Sequence, residues 1–437
     1  MSRQLTHGPR NHVLDNNDNF SADDRWLAVD TREARGGIAA NPLIGRVAVG
    51  TGEFEVLYAE PGAGPWGPGV GAASFCPADD RVDFIRGLSG AGAGRPYEMW
   101  RRTGATVRVG DPRLHFLDAR DVIAPYTPGA LRGGTHRHEW SADGRWIGFT
   151  YNDAVLAELE QRTGRRANLR TVGVAAELGA PVRVRPGPEN QDGEMFAAVV
   201  VRVTPEPRPG SDEISQAIED AWVGRRGYRR ADGSWQTRAR AFLGTVRLAG
   251  GGDLTEVFVV DIPDRLDLPG AAGPLEGTAE TMPAPPRGAA QRRLTFTADR
   301  PFPGVAREPR HWVRSSPDGE HIVFLARDDA GVVQAQLVSP RGGPVIPVTR
   351  EAKPIESCVR WSPDGLSLLY VCGGELKVCD ARPGSAGFGV AQALTAPSDP
   401  PPTSPVWSHD GRTIAFNRLV PSGPESFQQI FLVAAPA

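Results

Sequence analysis

The chain has 437 residues and a formal net charge of −3, and 40% of its residues are hydrophobic. This length and apolar content allow a large buried core, and the small net charge argues against nucleic acid or an anionic membrane as a partner. The four cysteines show no Cys-x-x-Cys spacing, which predicts free thiols. The amino-terminal segment is polar and no stretch is long enough to span a membrane, so we expect a cytoplasmic protein if Met1 is the true start.

One short unit recurs along the chain. It consists of an aromatic or small residue, then Ser-x-Asp-Gly or a variant of it, then a short apolar run. Copies begin at residues 21, 76, 141, 316, 362 and 408. Because Asp-Gly favours a tight turn and both flanks are rich in β-forming residues, each copy predicts a hairpin. The last three copies are spaced slightly wider than the ~40–45 residues of a four-stranded propeller blade.

A second element precedes several of these hairpins. It ends in Leu-Thr or Val-Thr and is typical of an outer strand, at residues 291–295, 345–349 and 392–395. Residues 3–6, Arg-Gln-Leu-Thr, repeat it with no hairpin before them, whereas only one strand, at 429–433, follows the last hairpin. We therefore predict an all-β, seven-bladed β-propeller spanning residues 1–437, in which residues 3–7 complete the last blade and close the ring.

Blade four departs from the repeat. Segments 182–185, 196–203, 241–248, 256–262 and 293–296 all favour strands, one more than a blade needs, so eight blades remain the alternative to seven. Within residues 211–222, Ser211 can cap a helix, and Ile214, Ile218 and Trp222 would share one helix face. The sequence thus predicts an insertion at 205–240 that carries a short helix.

Connections in a propeller blade alternate between the two faces of the ring. Loops that lead into a first strand, and loops that join a second strand to a third, share what we call the upper face. The Ser-x-Asp-Gly turns lie on the lower face. The upper face collects five of the eight histidines, His7, His12, His136, His138 and His311. Of the other polar residues that the topology places there, those expected to bind substrate are Arg32, Asn152, Asp153, Arg327 and Asp328. We expect a site on the upper face, at the central channel.

His136 and His138 are the strongest candidates for metal ligands. Alternate residues of a strand point to one side, and neutral imidazole suits Zn, Mn or Fe-type ions. The predicted cofactor is a divalent metal, Mn, Zn or Ca. His311 is the predicted third ligand, and His12 could also supply a ligand from a neighbouring blade. In the alternative arrangement Arg137 faces the channel and binds an anion, while both histidines pack against the neighbouring blade. For Arg310, Arg327 and Asp328 the alternative is a solvated, ion-paired rim.

The Ser-Pro-Asp-Gly hairpins with Leu-Thr outer strands resemble the repeat of TolB-type, WD40-like propellers. Longer stretches resemble the YidR-like family of bacterial propeller proteins nearly end to end. They are residues 124–134 (Ala-Pro-Tyr-Thr-Pro-Gly-Ala-Leu-Arg-Gly-Gly), 149–153 (Phe-Thr-Tyr-Asn-Asp), 209–214 (Pro-Gly-Ser-Asp-Glu-Ile) and 309–314 (Pro-Arg-His-Trp-Val-Arg). This resemblance implies the fold.

More distantly, residues 135–140, Thr-His-Arg-His-Glu-Trp, resemble the Thr-His-Glu-Phe-Trp-type stretch of oligogalacturonate lyases. Those propellers hold a divalent metal with histidines and cleave acidic oligosaccharides by β-elimination. The resemblance implies a metal-assisted lyase for an acidic oligosaccharide or other small anion. A histidine-bound metal with Arg310 or Arg327 would neutralise the carboxylate, and His12 or His311 would act as base. The alternative is a non-catalytic propeller that binds a protein or small ligand.

Overall fold

Seven antiparallel sheets, the blades, form a ring in the computed structural model, which describes residues 2–15, 18–33 and 37–436. Blade one contains Trp26–Asp30, Leu43–Ala48 and Phe54–Ala59. Blade two contains Val70–Phe75, Arg81–Gly87, Arg102–Arg108 and Asp111–Phe116. Blade three contains Gly133–Trp140, Trp146–Asp153, Thr171–Ala176 and Phe196–Val199. In blade one two isolated bridges to Trp26–Asp30, from Val13 to Asp30 and from Phe20 to Leu27, stand where the other blades have a first strand.

The second half of the ring repeats the same meander. Blade four contains Ile214–Trp222, Ala239–Arg247, Asp253–Asp261 and Ala290–Arg293. Blade five contains Arg314–Ser315, Ile322–Arg327, Val333–Val338 and Ile346–Pro347. Blade six contains Arg360–Trp361, Ser367–Cys372, Glu375–Asp380 and Ala391–Ala393. Blade seven contains Thr403–Trp407, Thr413–Ser422, Glu425–Ala434 and, from the other end of the chain, Arg3–Gln4. The prediction of seven blades is confirmed.

The predicted turns form because serine and aspartate bond to one another and to the backbone. In blade three the Ser141 hydroxyl donates to the Asp143 carboxylate at 2.5 Å and accepts from the Trp146 amide at 3.0 Å. Gly144 closes the turn at a φ of 66°, where a side chain would be strained. The same serine-to-aspartate bond recurs at Ser316, Ser362 and Ser408.

The amino-terminal strand closes the ring, as predicted. Arg3 pairs with Leu432 and Gln4 with Phe431 in an antiparallel register. Beyond the strand, the Leu5 amide donates to the Ile430 carbonyl and the Ile430 amide donates to the Thr6 hydroxyl, both at 2.8 Å. Blade seven therefore has four strands drawn from both ends of the chain.

The described residues also form two smaller sheets and one helix that are not part of the seven blades. Ala119–Arg120 pairs in parallel with Ala130–Leu131, and Tyr228–Arg229 pairs with Trp235–Gln236. The helix, Ala154–Thr163, begins at Asp153, whose carboxylate accepts from the Leu156 amide, and ends at Gly164 with a φ of 69°. In the part of the chain that is described, no helix is long and apolar enough to cross a membrane.

The helix predicted within residues 211–222 was wrong. Ile214–Trp222 is the first strand of blade four, paired with Ala239–Arg247. Ile214 and Trp222 pack in the core on one side of this strand and Ile218 packs in the core on the other side, because the pairing register shifts twice along it. The extra strand expected in blade four also belongs elsewhere, since Phe196–Val199 is the outer strand of blade three.

Four blades carry a bulge at the same point of the first strand. The pairing register shifts there, and one residue that is not glycine adopts a positive φ: Ala72 (61°), Arg137 (53°), Glu219 (53°) and Ser404 (50°). A bulge re-aims the side chains around it. In blades two, three and seven this residue comes four positions before the first residue of the lower-face turn. In blade four Glu219 comes four positions before residue 223, where a longer connection replaces that turn.

A buried ion network joins blades three, four and five below these bulges. Glu139 accepts from Arg240 at 2.6 Å and from Arg314 at 2.9 Å. One carboxylate of blade three therefore bonds to both blade four and blade five. Arg240 is fully buried and also bonds to Asp220 through its Nε at 2.9 Å.

Candidate functional site

The bulge in blade three decides which way residues 136–138 point. Arg137 lies at the bulge, is only 5% exposed, and stacks its guanidinium carbon 3.5 Å from the ring centroid of Trp312. Its Nη2 donates to the Asp15 carbonyl at 2.9 Å. Trp312 stands four residues before its own turn in blade five, as Arg137 does in blade three. Arg137 therefore meets the facing first-strand segment of another blade.

His138 points the other way, into the seam between blades two and three. Its Nε2 lies 3.0 Å from the Thr135 hydroxyl, and its ring tilts against Phe149. A Cβ added at Gly104 of blade two would lie 2.5 Å from that Nε2, so the imidazole fills a space that only glycine leaves open. Burial and the nearby Arg102 lower the pKa of His138 to about 3.

His311 also serves the backbone. Its Nδ1 lies 3.0 Å from the Pro309 carbonyl, and its Nε2 accepts from the Leu325 amide at 3.1 Å. An imidazole with both nitrogens in hydrogen bonds has no lone pair left for a metal. His12 is 4% exposed, and burial first of all lowers its pKa to about 4. It packs edge-on against Phe54, away from the first strands.

The structure does not bring His136, His138 and His311 together. Among the described residues, no three His, Cys, Asp or Glu side chains are placed as metal ligands would be. The geometry therefore does not fit a divalent ion on the predicted histidines. The physical reason is the bulge, because the alternation that would aim both His136 and His138 at one point fails at Arg137.

His136 instead lies within a group of arginines. Burial lowers its pKa well below the ordinary value, and the charges of Arg102, Arg170, Arg310 and Arg137 lower it further. The ring is partly exposed, and its buried Nδ1 has no hydrogen-bond partner among the described residues. His136 is thus a neutral imidazole surrounded by positive charge.

Arg102 and Arg170 are the notable members of this arginine cluster. Arg102, 5% exposed, donates to the Tyr97 hydroxyl at 3.2 Å, and Arg170 donates to the Thr150 hydroxyl at 2.8 Å. In the described chain no carboxylate lies within ion-pair distance of either guanidinium. Burial, then the charge of Arg102, lowers the pKa of Arg170 to about 10. Two cations without a carboxylate partner make this point attractive to an anion.

Arg310 lies at the edge of the same cluster. Its side chain is 53% exposed and donates to Glu219 at 2.8 Å, while its guanidinium carbon lies 4.7 Å from the Trp312 centroid. Trp312 therefore contacts the guanidinium groups of Arg137 and Arg310. Arg32 bonds to Asp15 at 2.6 Å, and Asp15 in turn contacts Arg137. Of the predicted site residues, the structure gathers His136, Arg137 and Arg310, with Arg32 linked through Asp15.

Four predicted substrate-binding residues have local structural contacts instead. Asp153 is fully buried, caps the helix and pairs with Arg132 at 2.6 Å. The Asn152 amide lies against Asn168 at 3.3 Å. Asp328 accepts the amides of Ala330 and Val332 in a turn, and Arg327 is the exposed last residue of its strand.

Sequence reasoning missed Arg102, Arg170, Trp312 and Glu219. A usable signal existed for the two arginines, because each lies at the start of a third strand and so at the upper face. Trp312 and Glu219 occupy the position of Arg137 in their own blades, counted back from the turn region. The position of Glu219 can be recognised only after Ile214–Trp222 is identified as a strand.

Solved structures of two oligogalacturonate lyases share this architecture. One, in complex with manganese, superposes with a TM-score of 0.53 at 11% identity, covering 100% of this chain and 96% of its own. The other, from Vibrio parahaemolyticus, gives a TM-score of 0.54 at 11% identity, covering 99% of this chain and 93% of its own. At this identity the likeness establishes the propeller fold alone.

Sequence relatives are more specific. Residues 69–190 match a family described as "Protein of unknown function (DUF3748)". Over 358 residues the chain is 41% identical to the "Uncharacterized protein YidR" of Escherichia coli strain K12, covering 81% of this chain and 80% of that protein. The resemblance expected from the sequence is confirmed: this chain is a member of the YidR family of β-propeller proteins.

Proposed function

We propose that the upper mouth of the channel binds an acidic oligosaccharide through a carboxylate held by Arg102, Arg170 and Arg310. The observation that carries the proposal is the pair Arg102 and Arg170, whose guanidinium groups have no carboxylate partner among the described residues. Charge-assisted hydrogen bonds from arginine suit a planar carboxylate. The fold likeness to oligogalacturonate lyases supports the choice of an acidic sugar over other anions.

The reaction that fits this cluster is β-elimination. Arginines that neutralise a uronate carboxylate acidify the proton on the adjacent carbon, and a base must then remove that proton. His136 is the candidate base, because it is neutral and lies within the cluster. A carboxylate bound there would offset the surrounding positive charge and raise the pKa of the imidazole. His136 takes the proton, a carbon–carbon double bond forms, the bond to the leaving oxygen breaks, and water protonates that oxygen.

Binding is tested by calorimetry with oligogalacturonate and a neutral oligosaccharide of equal length. We expect Arg102→Ala and Arg170→Ala each to weaken binding of the acidic ligand by about tenfold or more, the magnitude of a hydrogen bond to a charged group. Arg108→Ala is the matched control, because Arg108 ends the same strand that Arg102 begins, at the opposite face. Equal binding of the neutral sugar, or no loss in either variant, would contradict the proposal.

Catalysis is tested separately by following the absorbance of the unsaturated uronate product. His136→Gln should abolish product formation while retaining binding. If the wild-type protein binds the acidic ligand but releases no unsaturated product, the chain is the non-catalytic ligand-binding propeller that is the alternative. In that outcome the arginine cluster keeps its binding role and the role of His136 as base is wrong.

A further inference from the structure

Blade four replaces the short lower-face turn with an inserted hairpin. Residues 141–145 suffice to join the first two strands of blade three, whereas blade four uses residues 223–238 and folds Tyr228–Arg229 against Trp235–Gln236. The hairpin is fixed in place: the Tyr228 hydroxyl donates to Asp261 at 2.7 Å, and the Arg225 amide donates to the Pro317 carbonyl of blade five at 2.9 Å. These contacts hold the hairpin in one position on the lower face.

The insertion is strongly basic on a chain whose net charge is −3. It carries five arginines and one aspartate: Arg225, Arg226, Arg229, Arg230, Arg238 and Asp232. Arg230 pairs with Asp261 at 3.3 Å and Arg238 with Asp264 at 2.6 Å. The other three arginines are exposed, and no carboxylate of the described chain lies within ion-pair distance of them. They form a patch of positive charge that nothing within the described ring neutralises.

A cleft of about 340 Å³ separates this hairpin from the turn of blade three. Its walls include Ala142 and Asp143 on one side and Arg226 and Trp235 on the other, with Trp222 also lining it. Trp235 is 48% exposed, although its indole nitrogen donates to the Arg226 carbonyl at 2.6 Å. The ring is therefore held in one position while much of its surface remains open to solvent.

We propose that the inserted hairpin is a docking surface for an acidic protein segment, which places an aromatic side chain in the cleft against Trp235. Charge complementarity selects the partner, because Arg225, Arg226 and Arg229 extend along the hairpin beside the cleft. Tryptophan and arginine are also the residues that dominate binding energy at protein interfaces. The proposal concerns the lower face and is independent of the acidic sugar proposed for the upper face.

Two other ligand classes fit less well. Small-molecule sites bring a few buried polar groups to a point, whereas the polar groups here are exposed arginines spread along a hairpin. Single-stranded nucleic acid stacks successive bases on several aromatic rings along a basic groove, whereas this hairpin exposes one large aromatic side chain, Trp235. An extended, acidic polypeptide satisfies both the charge and the shape.

The first experiment measures fluorescence anisotropy of a short labelled peptide that contains glutamates around one phenylalanine. Arg225→Glu/Arg226→Glu should weaken its binding by about tenfold or more, since both charges are reversed. Arg165→Glu/Arg166→Glu is the matched control, an adjacent pair of exposed arginines that follows the helix. No binding of the peptide, or an equal loss in the control, overturns the proposal. Circular dichroism verifies that each variant is folded.

The second experiment asks whether the cleft takes the aromatic side chain. Trp235→Ala should weaken binding of the phenylalanine peptide by about tenfold and leave binding of a phenylalanine-to-serine peptide unchanged. Trp66→Ala is the control, because Trp66 has a similar exposure of 49% and lies before blade two on the upper face. An equal effect on both peptides refutes the aromatic anchor. Tighter binding of single-stranded DNA of equal charge, lost in Arg225→Glu/Arg226→Glu, assigns the surface to nucleic acid and overturns the proposal.

Discussion

At the scale of single residues, burial lowers the pKa of His12, His136, His138 and His311, and for His12 this has a consequence for acid stability. His12 is 4% exposed, its Nδ1 has no hydrogen-bond partner among the described residues, and its pKa is lowered to about 4. Below its ordinary pKa of 6.5 the unfolded chain takes up a proton that the folded chain does not. His12 therefore contributes no penalty above pH 6.5, and stability is lost as the pH falls from 6.5 toward 4.

We predict that His12→Gln flattens the dependence of stability on pH. Between pH 7 and pH 5 the free energy of unfolding should fall by about 2 kcal/mol less in the variant than in the wild type, from the pKa shift of His12. Urea denaturation at the two pH values measures this difference. His12→Asn, which also removes the titrating ring, should flatten the pH dependence to the same degree. Identical pH dependence in wild type and His12→Gln would show that His12 is not buried as a neutral ring.

The sequence indicated where the channel residues lie but not where they point. The motif at residues 135–140 did identify part of the upper arginine cluster, through His136 and Arg137. Because side chains alternate along a strand, both histidines were expected to point to one side. The bulge at Arg137 breaks that alternation. In the alternative, Arg137 faces the channel and both histidines pack against the adjacent blade; of these two histidines, His138 packs against Gly104 of blade two and His136 lies among the arginines. A bulge depends on the pairing of two strands, so periodicity in one strand alone does not reveal it.

At the scale of elements, the two-residue strand Arg3–Gln4 has an influence larger than its length suggests. It covers the edge of Glu425–Ala434, and the next two residues continue the contact through Leu5, which is 3% exposed, and Thr6. The Thr6 hydroxyl accepts the buried amide of Ile430 at 2.8 Å. Removing that acceptor leaves a buried donor unsatisfied, which is more destabilising than losing an exposed hydrogen bond.

Thr6→Val should therefore lower the free energy of unfolding by about 1–3 kcal/mol, since valine keeps the shape of threonine without its acceptor. Amide hydrogen exchange should also become faster in Glu425–Ala434, the strand that Arg3–Gln4 covers. Thr51→Val is the control, because Thr51 is an exposed residue of a turn. If Thr6→Val matches Thr51→Val in both measurements, the amino-terminal strand does not fasten blade seven.

Turns and outer strands were predictable because their residues act locally, whereas blade four required partners that are distant in sequence. Serine, aspartate and glycine make the turn by themselves. The segment 214–222 becomes a strand because it pairs with Ala239–Arg247, across the inserted hairpin. The true helix, Ala154–Thr163, was overlooked although its residues are good helix formers, because Asp153 both ends a strand and caps the helix.

At the scale of the whole molecule, the ion network around Glu139 ties three blades together at their first two strands. Arg240 is fully buried between Glu139 and Asp220, and Arg314 reaches the same Glu139 from blade five. A buried carboxylate that loses its partner keeps the cost of desolvation without the compensating attraction. In this network Arg240 links blade four to Glu139, and it is also the ion-pair partner of the buried Asp220, while Arg314 links blade five to the same Glu139.

We predict that Arg240→Ala lowers the free energy of unfolding by about 3–5 kcal/mol, the range for breaking a buried pair from one side. Arg247→Ala, at the other end of the same strand, should cost less than about 1 kcal/mol because its partner Asp253 is 42% exposed. Chemical denaturation of both variants supplies the comparison. A cost in Arg240→Ala no greater than that in Arg247→Ala would show that the network does not hold the blades together.

Four bulged blades share one backbone conformation, with a positive φ, but carry different side chains there, at Ala72, Arg137, Glu219 and Ser404. Backbone of this kind costs roughly 1–2 kcal/mol for a residue other than glycine. Glycine would relieve that strain and present no side chain. The four positions differ in chemistry, with a methyl, a guanidinium, a carboxylate and a hydroxyl, yet all four backbones are alike. One position in each bulged blade can therefore change its side chain while the backbone stays the same. Related rings can acquire new ligand preferences by substitutions at these few positions, without any change to the blades.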